Sequence, residues 1–128
     1  MTKSAALKID FLIPRDLVLT SNQRMHPRVK AKKTKALRER AESEAQGLRG
    51  PQPCRVIAWL AFPDRRRRDA PNWWPTIKAL MDGLVDAGVW DDDNSTIIQG
   101  PDHRILDYTI DRGHVYVSLE IMPPELAG

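Results

Sequence analysis

An α+β fold, one mixed β-sheet carrying two main helices, is what this 128-residue sequence predicts. Three observations lead there. Residues 56–62 form an uninterrupted apolar run rich in β-formers, as a central buried strand requires. Ile77, Leu80, Met81, Leu84 and Val85 recur at helical spacing. Residues 104–110 and 114–121 alternate apolar and polar side chains, as half-exposed strands do.

Taken in order, residues 8–13 read as a first strand stopped by Pro14, and the polar stretch 20–27 as a loop. Residues 28–47 are good helix formers ending at Gly47 or Gly50. The apolar face of this basic helix is thin (Val29, Ala36, Leu37, Ala41, Ala45), which predicts a surface helix with one side on a sheet. Pro51 and Pro53 mark a loop, and the central strand 55–62 ends at Pro63. For the second helix, Asn72 is the expected N-cap, Pro75 fits the first turn because its missing N–H needs no partner there, and Gly88 is a left-handed stop. A short strand over 96–99 and the strands 104–110 and 114–121 complete the order β-α-β-α-β-β-β. Asp111, Arg112 and Gly113 read as a hairpin turn joining the last two.

Length and composition predict one domain spanning residues 1–128, with 41% hydrophobic and 29% charged residues. No apolar run is long enough to cross a membrane, and the N-terminus lacks the apolar core of a secretory signal. Cys54 is the only cysteine, which excludes an intrachain disulfide and a multi-cysteine zinc site and points to a reducing, cytoplasmic setting. A domain of this size buries only about two-thirds of its unfolded surface, so dimerisation would add useful burial.

The net charge of +3 conceals a division. Residues 1–68 hold 17 Lys and Arg against 6 Asp and Glu, whereas residues 69–128 hold 3 against 11. A basic half suits a polyanion and an acidic half suits hard cations. Folding could equally interleave the two and cancel both fields.

Two acidic points stand out: Asp69 past the central strand, and Asp91, Asp92 and Asp93 past the second helix. If the acidic loop runs back beside the central strand, three or four carboxylates converge, and their hard oxygens suit Mg²⁺ or Mn²⁺. Each feature also has a plainer reading. Three aspartates after a helix make a solvated turn, Asp69 makes a local ion pair with its arginines, and Arg65, Arg66, Arg67 and Arg68 make a solvated run rather than a phosphate site. Trp73 and Trp74 stack on bases or pack in the core. Lys78, Asp82 and Asp86 recur every four residues, as on a solvated helix face. His26, His103 and His114 show no ligand spacing.

The combination is more specific than its parts. Phe62-Pro63-Asp64-Arg65-Arg66-Arg67-Arg68-Asp69-x-x-Asn72, followed by Lys78-Ala79-x-x-Asp82-x-Leu84-x-x-Ala87-Gly88-Val89-Trp90-x-Asp92-Asp93, resembles the RusA family of Holliday junction resolvases, small endonucleases often carried by phages and prophages. The likeness is dense over residues 62–94. The Ser21-Asn22-x-Arg24 loop is similar to a polar, basic loop near the family's N-terminus. The resemblance implies a RusA-like homodimer that cuts four-way DNA junctions, in recombination and repair, with Mg²⁺ or Mn²⁺. It implies metal binding by Asp69 and by Asp92 or Asp93, with Asp93 the better match, and a need for Lys78 in cleavage. The DNA contacts expected with it are Arg65 to Arg68, Asn22, Arg24, Lys30 and Lys33. The sequence departs from the family's Asp-x-Asp-Asn at the first site, where Pro71 stands in place of the second acid, and three residues are inserted between Asn72 and Lys78. Asn72, Asp82 and Asp91 are the oxygen donors that could replace the missing carboxylate; otherwise one metal serves instead of two.

Overall fold

β1 (Leu7–Pro14) alternates as its sequence requires, with Ile9, Phe11 and Ile13 turned inward and Lys8, Asp10 and Leu12 outward. The computed structural model describes residues 6–92, 94 and 96–124. The chain continues through α1 (Pro27–Glu44), β2 (Cys54–Phe62), α2 (Trp74–Ala87), β3 (Ile98–Thr109) and β4 (His114–Met122), with short 3₁₀ turns at Arg15–Leu17 and Ala70–Trp73. The four strands form one mixed sheet in the order β1-β4-β2-β3. β4 runs antiparallel to both β1 and β2, and β3 runs parallel to β2.

Two strand expectations are corrected. The strands expected over 96–99 and 104–110 are one continuous strand, β3 (Ile98–Thr109), whose register against β2 shifts twice. Gly100, at φ +100°, sits at the first shift, where a Cβ would lie 2.8 Å from the Val56 carbonyl oxygen. The turn at Asp111–Gly113 forms, with the Asp111 carboxylate accepting from the Gly113 N–H at 2.9 Å, but it does not close a hairpin. β3 and β4 lie on opposite sides of β2. The physical reason lies in β2, which is apolar on both faces and therefore needs a strand on each edge; the chain crosses the exit of β2 to supply the second. The Ile110 N–H donates to the Phe62 carbonyl at 3.0 Å and anchors that crossing.

Val56, Ala58, Leu60 and Phe62 of β2 join the inward residues of β1 and β4 in a core closed by Leu37 and Ala41 of α1 and by Ile77, Leu80 and Leu84 of α2. Trp90, Val115, Val117, Leu119 and Ile121 are all buried in it. The thin face of α1 is therefore used, except at Val29, which is exposed. Both helices cover the same side of the sheet, and the opposite side carries no helix. Among the described residues no helix is long and apolar enough to cross a membrane.

α2 starts later than expected. Asn72 lies in the 3₁₀ turn, Trp73 occupies the N-cap position without a side-chain cap, and Pro75 sits in the first turn. Pro71 and Pro75 both lack an N–H, so the chain enters the helix through a tighter turn. Gly88 ends α2 in the left-handed conformation, at φ +87°.

The helices touch at Gly83, where a Cβ would lie 2.2 Å from the Arg38 carbonyl oxygen and 2.6 Å from the Ala41 Cβ. Arg38 of α1 also forks onto the Asp86 carboxylate of α2 with two hydrogen bonds. That pairing holds Asp86 below the ordinary carboxylate range. In an exposed helix, Gly→Ala gains about 1 kcal/mol. Here the clash is with rigid backbone, so Gly83→Ala is expected to destabilise by about 1–3 kcal/mol. Urea unfolding checks this: an unchanged or raised midpoint contradicts the close helix contact.

Candidate nucleic-acid interface and acidic site

The exit of β2 determines where the arginines point. Asp64 accepts from the Arg66 N–H at 2.9 Å and from the Arg68 guanidinium at 2.9 Å, and these two bonds hold its carboxyl below the usual range. Arg68 also lies over the Phe62 ring, 4.2 Å from its centre, and Phe62 packs on Trp73 at 4.8 Å. Arg68 is thus largely a structural member of the loop, while Arg65 reaches Asp107 at 3.1 Å. Arg66 and Arg67 are exposed and pair with no acid among the described residues.

Asp64, not Asp69, is therefore the local partner of the arginines. Asp69 is exposed, and its carboxylate has no hydrogen bond or ion pair among the described residues. It lines a depression of about 250 Å³ together with Asn22, Arg67, Arg68 and Asn72. Asn22, 47 positions away in sequence, arrives there because its loop is fastened to the start of α2. The buried Thr76 hydroxyl donates to the Leu19 carbonyl at 2.6 Å and accepts from the Leu19 N–H at 2.7 Å. The Ser21 N–H donates to the Asn72 carbonyl at 2.8 Å. Thr76 went unmarked in the sequence because an isolated threonine in an apolar helix carries no pattern.

A second depression of about 270 Å³ is lined by Leu19, Lys30, Thr34, Trp74, Lys78 and Asp82. Lys78 donates to Asp82 at 2.6 Å, the i,i+4 pairing that its spacing suggested. The first three turns of α1 carry Arg28, Lys30, Lys32, Lys33 and Lys35 before any acid. Positive charge at a helix N-terminus opposes the macrodipole, and the lysines repel one another. Folding alone does not favour that placement. Arg24 is exposed in the loop just ahead of it. The two tryptophans divide their roles, Trp73 packing on Phe62 and Trp74 standing 39% exposed against the edge of His103.

The other acids lie elsewhere. Asp91 accepts from Arg49 at 2.9 Å and from Gln52 at 3.4 Å, and Arg49 chiefly holds its carboxyl below the ordinary range. Asp92 accepts from the Asn94 amide at 3.1 Å. Asp93 lies outside the described residues. β3 does run beside β2, but its pairing starts with Ile98 opposite Cys54, at the entry of β2. Asp91 is consequently at the opposite end of the 14-residue α2 from Asp69, about 21 Å of helix apart. Among the described residues no three metal-binding side chains of the His, Cys, Asp or Glu type stand together. Of the candidate substitutes for the acid missing at Pro71, Asn72 shares the depression of Asp69, Asp82 is tied to Lys78, and Asp91 is held by Arg49. Asp69 and Asn72 offer hard oxygens suited to one largely hydrated Mg²⁺ or Mn²⁺, and are too few for a closed cage.

Nucleophilic cysteine chemistry has no basis here. Cys54 is fully buried, and burial pushes its thiol up to about 11. Burial likewise pushes His103 down, and its Nε2 is sealed without a hydrogen-bond partner among the described residues. His26 caps α1 by accepting from the Arg28 N–H at 3.1 Å, and His114 pairs with Asp111 in the turn.

No known family model matches the sequence, and no curated protein matches it significantly.

Two outcomes are expected. Thr76→Val keeps the shape but strands the Leu19 N–H and carbonyl in a buried setting, costing about 2 kcal/mol or more. Hydrogen exchange should then show the Leu19 and Ser21 amides losing protection together; protection retained at both means that Thr76 does not hold the loop. Cys54 should resist alkylation at pH 8 in the folded protein and react fully in denaturant. Rapid labelling of the native protein contradicts its burial.

Proposed function

We propose that the protein is a cytoplasmic, structure-specific endodeoxyribonuclease that acts as a homodimer on four-way DNA junctions, hydrolysing a phosphodiester with Mg²⁺ or Mn²⁺. The observation that carries this reading is one exposed, unpaired carboxylate, Asp69, set with Asn22 and Asn72 in a cationic surface. The motif likeness over residues 62–94 supplies the substrate class and the link to recombination and repair.

In this reading the exposed residues Arg66 and Arg67, the loop at Asn22 and Arg24, and Lys30 and Lys33 of α1 hold the sugar–phosphate backbone. Such contacts position DNA without reading its sequence. Asp69 and Asn72 would hold the metal; Asp92, which the family likeness also implies as a ligand, lies beyond the far end of α2 and does not reach it within one chain, and Asp93 lies outside the described residues. When bound, the metal supplies Lewis-acid polarisation of the phosphoryl oxygen and lowers the pKa of water. Lys78 neutralises charge that develops on the phosphate, and its bond to Asp82 orients it. A four-way junction has approximate two-fold symmetry, so paired incisions call for two sites related by a two-fold axis.

A second reading, a junction-binding protein with weak or no cleavage, is favoured by Pro71 and by the separation of Asp69 from Asp91 within one chain. Incubation with a synthetic four-way junction, with and without Mg²⁺, separates the two on a denaturing gel. Symmetric nicks that appear only with metal support the enzyme; retarded but intact junction supports the binder.

Asp69→Asn is expected to abolish nicking while junction binding persists or tightens, because less negative charge meets the phosphates. Lys78→Ala should slow turnover by roughly 10²-fold, the scale of one lost electrostatic stabiliser; a change under about threefold reduces Lys78 to a helix-surface pair. Log K should fall with log salt by about 0.9 per phosphate neutralised. The slope should shrink in Lys30→Gln/Lys33→Gln, and a slope near zero removes the nucleic-acid reading.

A further inference from the structure

Of the two adjoining tryptophans, only one is spent on internal packing. Trp73 lies against Phe62, whereas Trp74, the first residue of α2, is exposed. Among the described residues the ring contact of Trp74 is with His103, 6.0 Å away between centres and at 84°, so the two rings meet edge to face. That geometry braces the indole and leaves at least one of its faces uncovered by His103. Lys78 stands four residues further along α2, on the same helix face, with Cβ atoms about 6 Å apart. Both side chains line the depression of about 270 Å³, and Lys30 and Thr34 enter it from α1. Lys30 is exposed, and the first turn of α2 carries no acid. Asp82 is the acid that lines the depression, and it accepts from Lys78 at 2.6 Å.

We infer that Trp74 is a stacking platform for an unpaired base of the DNA. A nucleotide presents a flat π-face at one end and an anion at the other. The Trp74 ring meets the first, and Lys30 and Lys78 meet the second. Two cations against one acid favour an anionic occupant of the depression over an apolar one. Stacking is indifferent to which base is offered, because every base has a π-face. It is not indifferent to structure. Inside a continuous duplex both faces of each base are covered by its neighbours, and a face comes free only where the stack is interrupted, as in a single strand or at a branch point. Trp74 therefore selects interrupted DNA. The phosphate contacts of the arginines and of α1 cannot make that distinction, since every strand carries phosphates. The inference rests on the endonuclease reading for branched DNA as the substrate, and it adds the base contact and the structural selectivity that this reading lacks.

Binding of the full chain to three labelled probes tests it, by fluorescence anisotropy: a short oligothymidine, an abasic strand of the same length, and a long duplex. The wild type is expected to bind oligothymidine about tenfold or more tighter than the abasic strand, the scale of one stacked base. Trp74→Leu, which keeps an apolar side chain and loses the ring, should abolish that preference, and Trp74→Phe should retain most of it. Affinity for the duplex should stay within about twofold in every variant, because phosphate contacts alone carry it. The abasic strand probes the wild-type protein directly, so the test does not depend on how a variant folds; an unchanged circular dichroism spectrum checks the variants. A wild type without preference for the base-bearing strand, or a preference that survives in Trp74→Leu, overturns the inference. The junction-cutting assay fails or succeeds separately. A Trp74-dependent preference in a protein that never nicks junctions refutes the enzyme and leaves the stacking site standing, whereas nicking that Trp74→Leu leaves unchanged does the reverse. Failure to bind any of the three probes overturns both.

Discussion

β2 is the strand on which the remaining structure depends. Seven of its nine residues are buried, and the two that are half-buried, Arg55 and Trp59, lie on the helix-free face. A strand with so little polar surface cannot be an edge, so it takes β4 on one side and β3 on the other. That requirement sends the chain across the exit of β2 after β3 and makes the sheet mixed. It also leaves the chain only one short route from β2 to α2, the segment that contains the four arginines and Asp69.

The character of that segment follows from how few of its charges are consumed locally. Asp64 takes the Arg66 N–H and Arg68, Phe62 takes the face of Arg68, and Trp73 closes behind Phe62. Once these contacts are made, Arg66, Arg67 and Asp69 remain facing solvent. The Thr76 clamp on Leu19 then brings Asn22 to the same place, while the acid-free first turns of α1 bring Lys30 to the depression that holds Lys78 and Asp82. Asp69 is thus an exposed carboxylate with Arg67 and Arg68 beside it.

The parallel pairing of β3 has the opposite effect on the second acidic point. Parallel strands enter from the same end, so a loop that leads into β3 must lie at the entry of β2. Asp91 and Asp92 are there, with Asp91 stitched to Arg49 and Gln52, and α2 stands between them and Asp69. Together with Pro71, this leaves Asp69 with Asn22 and Asn72, and no second carboxylate, lining its depression among the described residues.

Much of this was legible in the sequence by itself. The apolar run at 56–62 made β2 central, the 3.6-residue rhythm of Ile77, Leu80 and Leu84 made α2, and Gly88 had to end it, because these depend only on local periodicity and backbone preference. The basic first turns of α1 and the arginine run were equally plain, since charge along a helix or loop needs no fold to be read. What only the tertiary structure decided was which strands pair and which groups meet. Asp111, Arg112 and Gly113 have hairpin chemistry, yet the demand of β2 for two neighbours overrode it. Asp69 and Asp91 looked equally available to one site until the parallel register of β3 placed them at opposite ends of a helix. Asn22 and Thr76 gained their positions from hydrogen bonds between residues dozens of positions apart, and no local pattern encodes a partner at that distance.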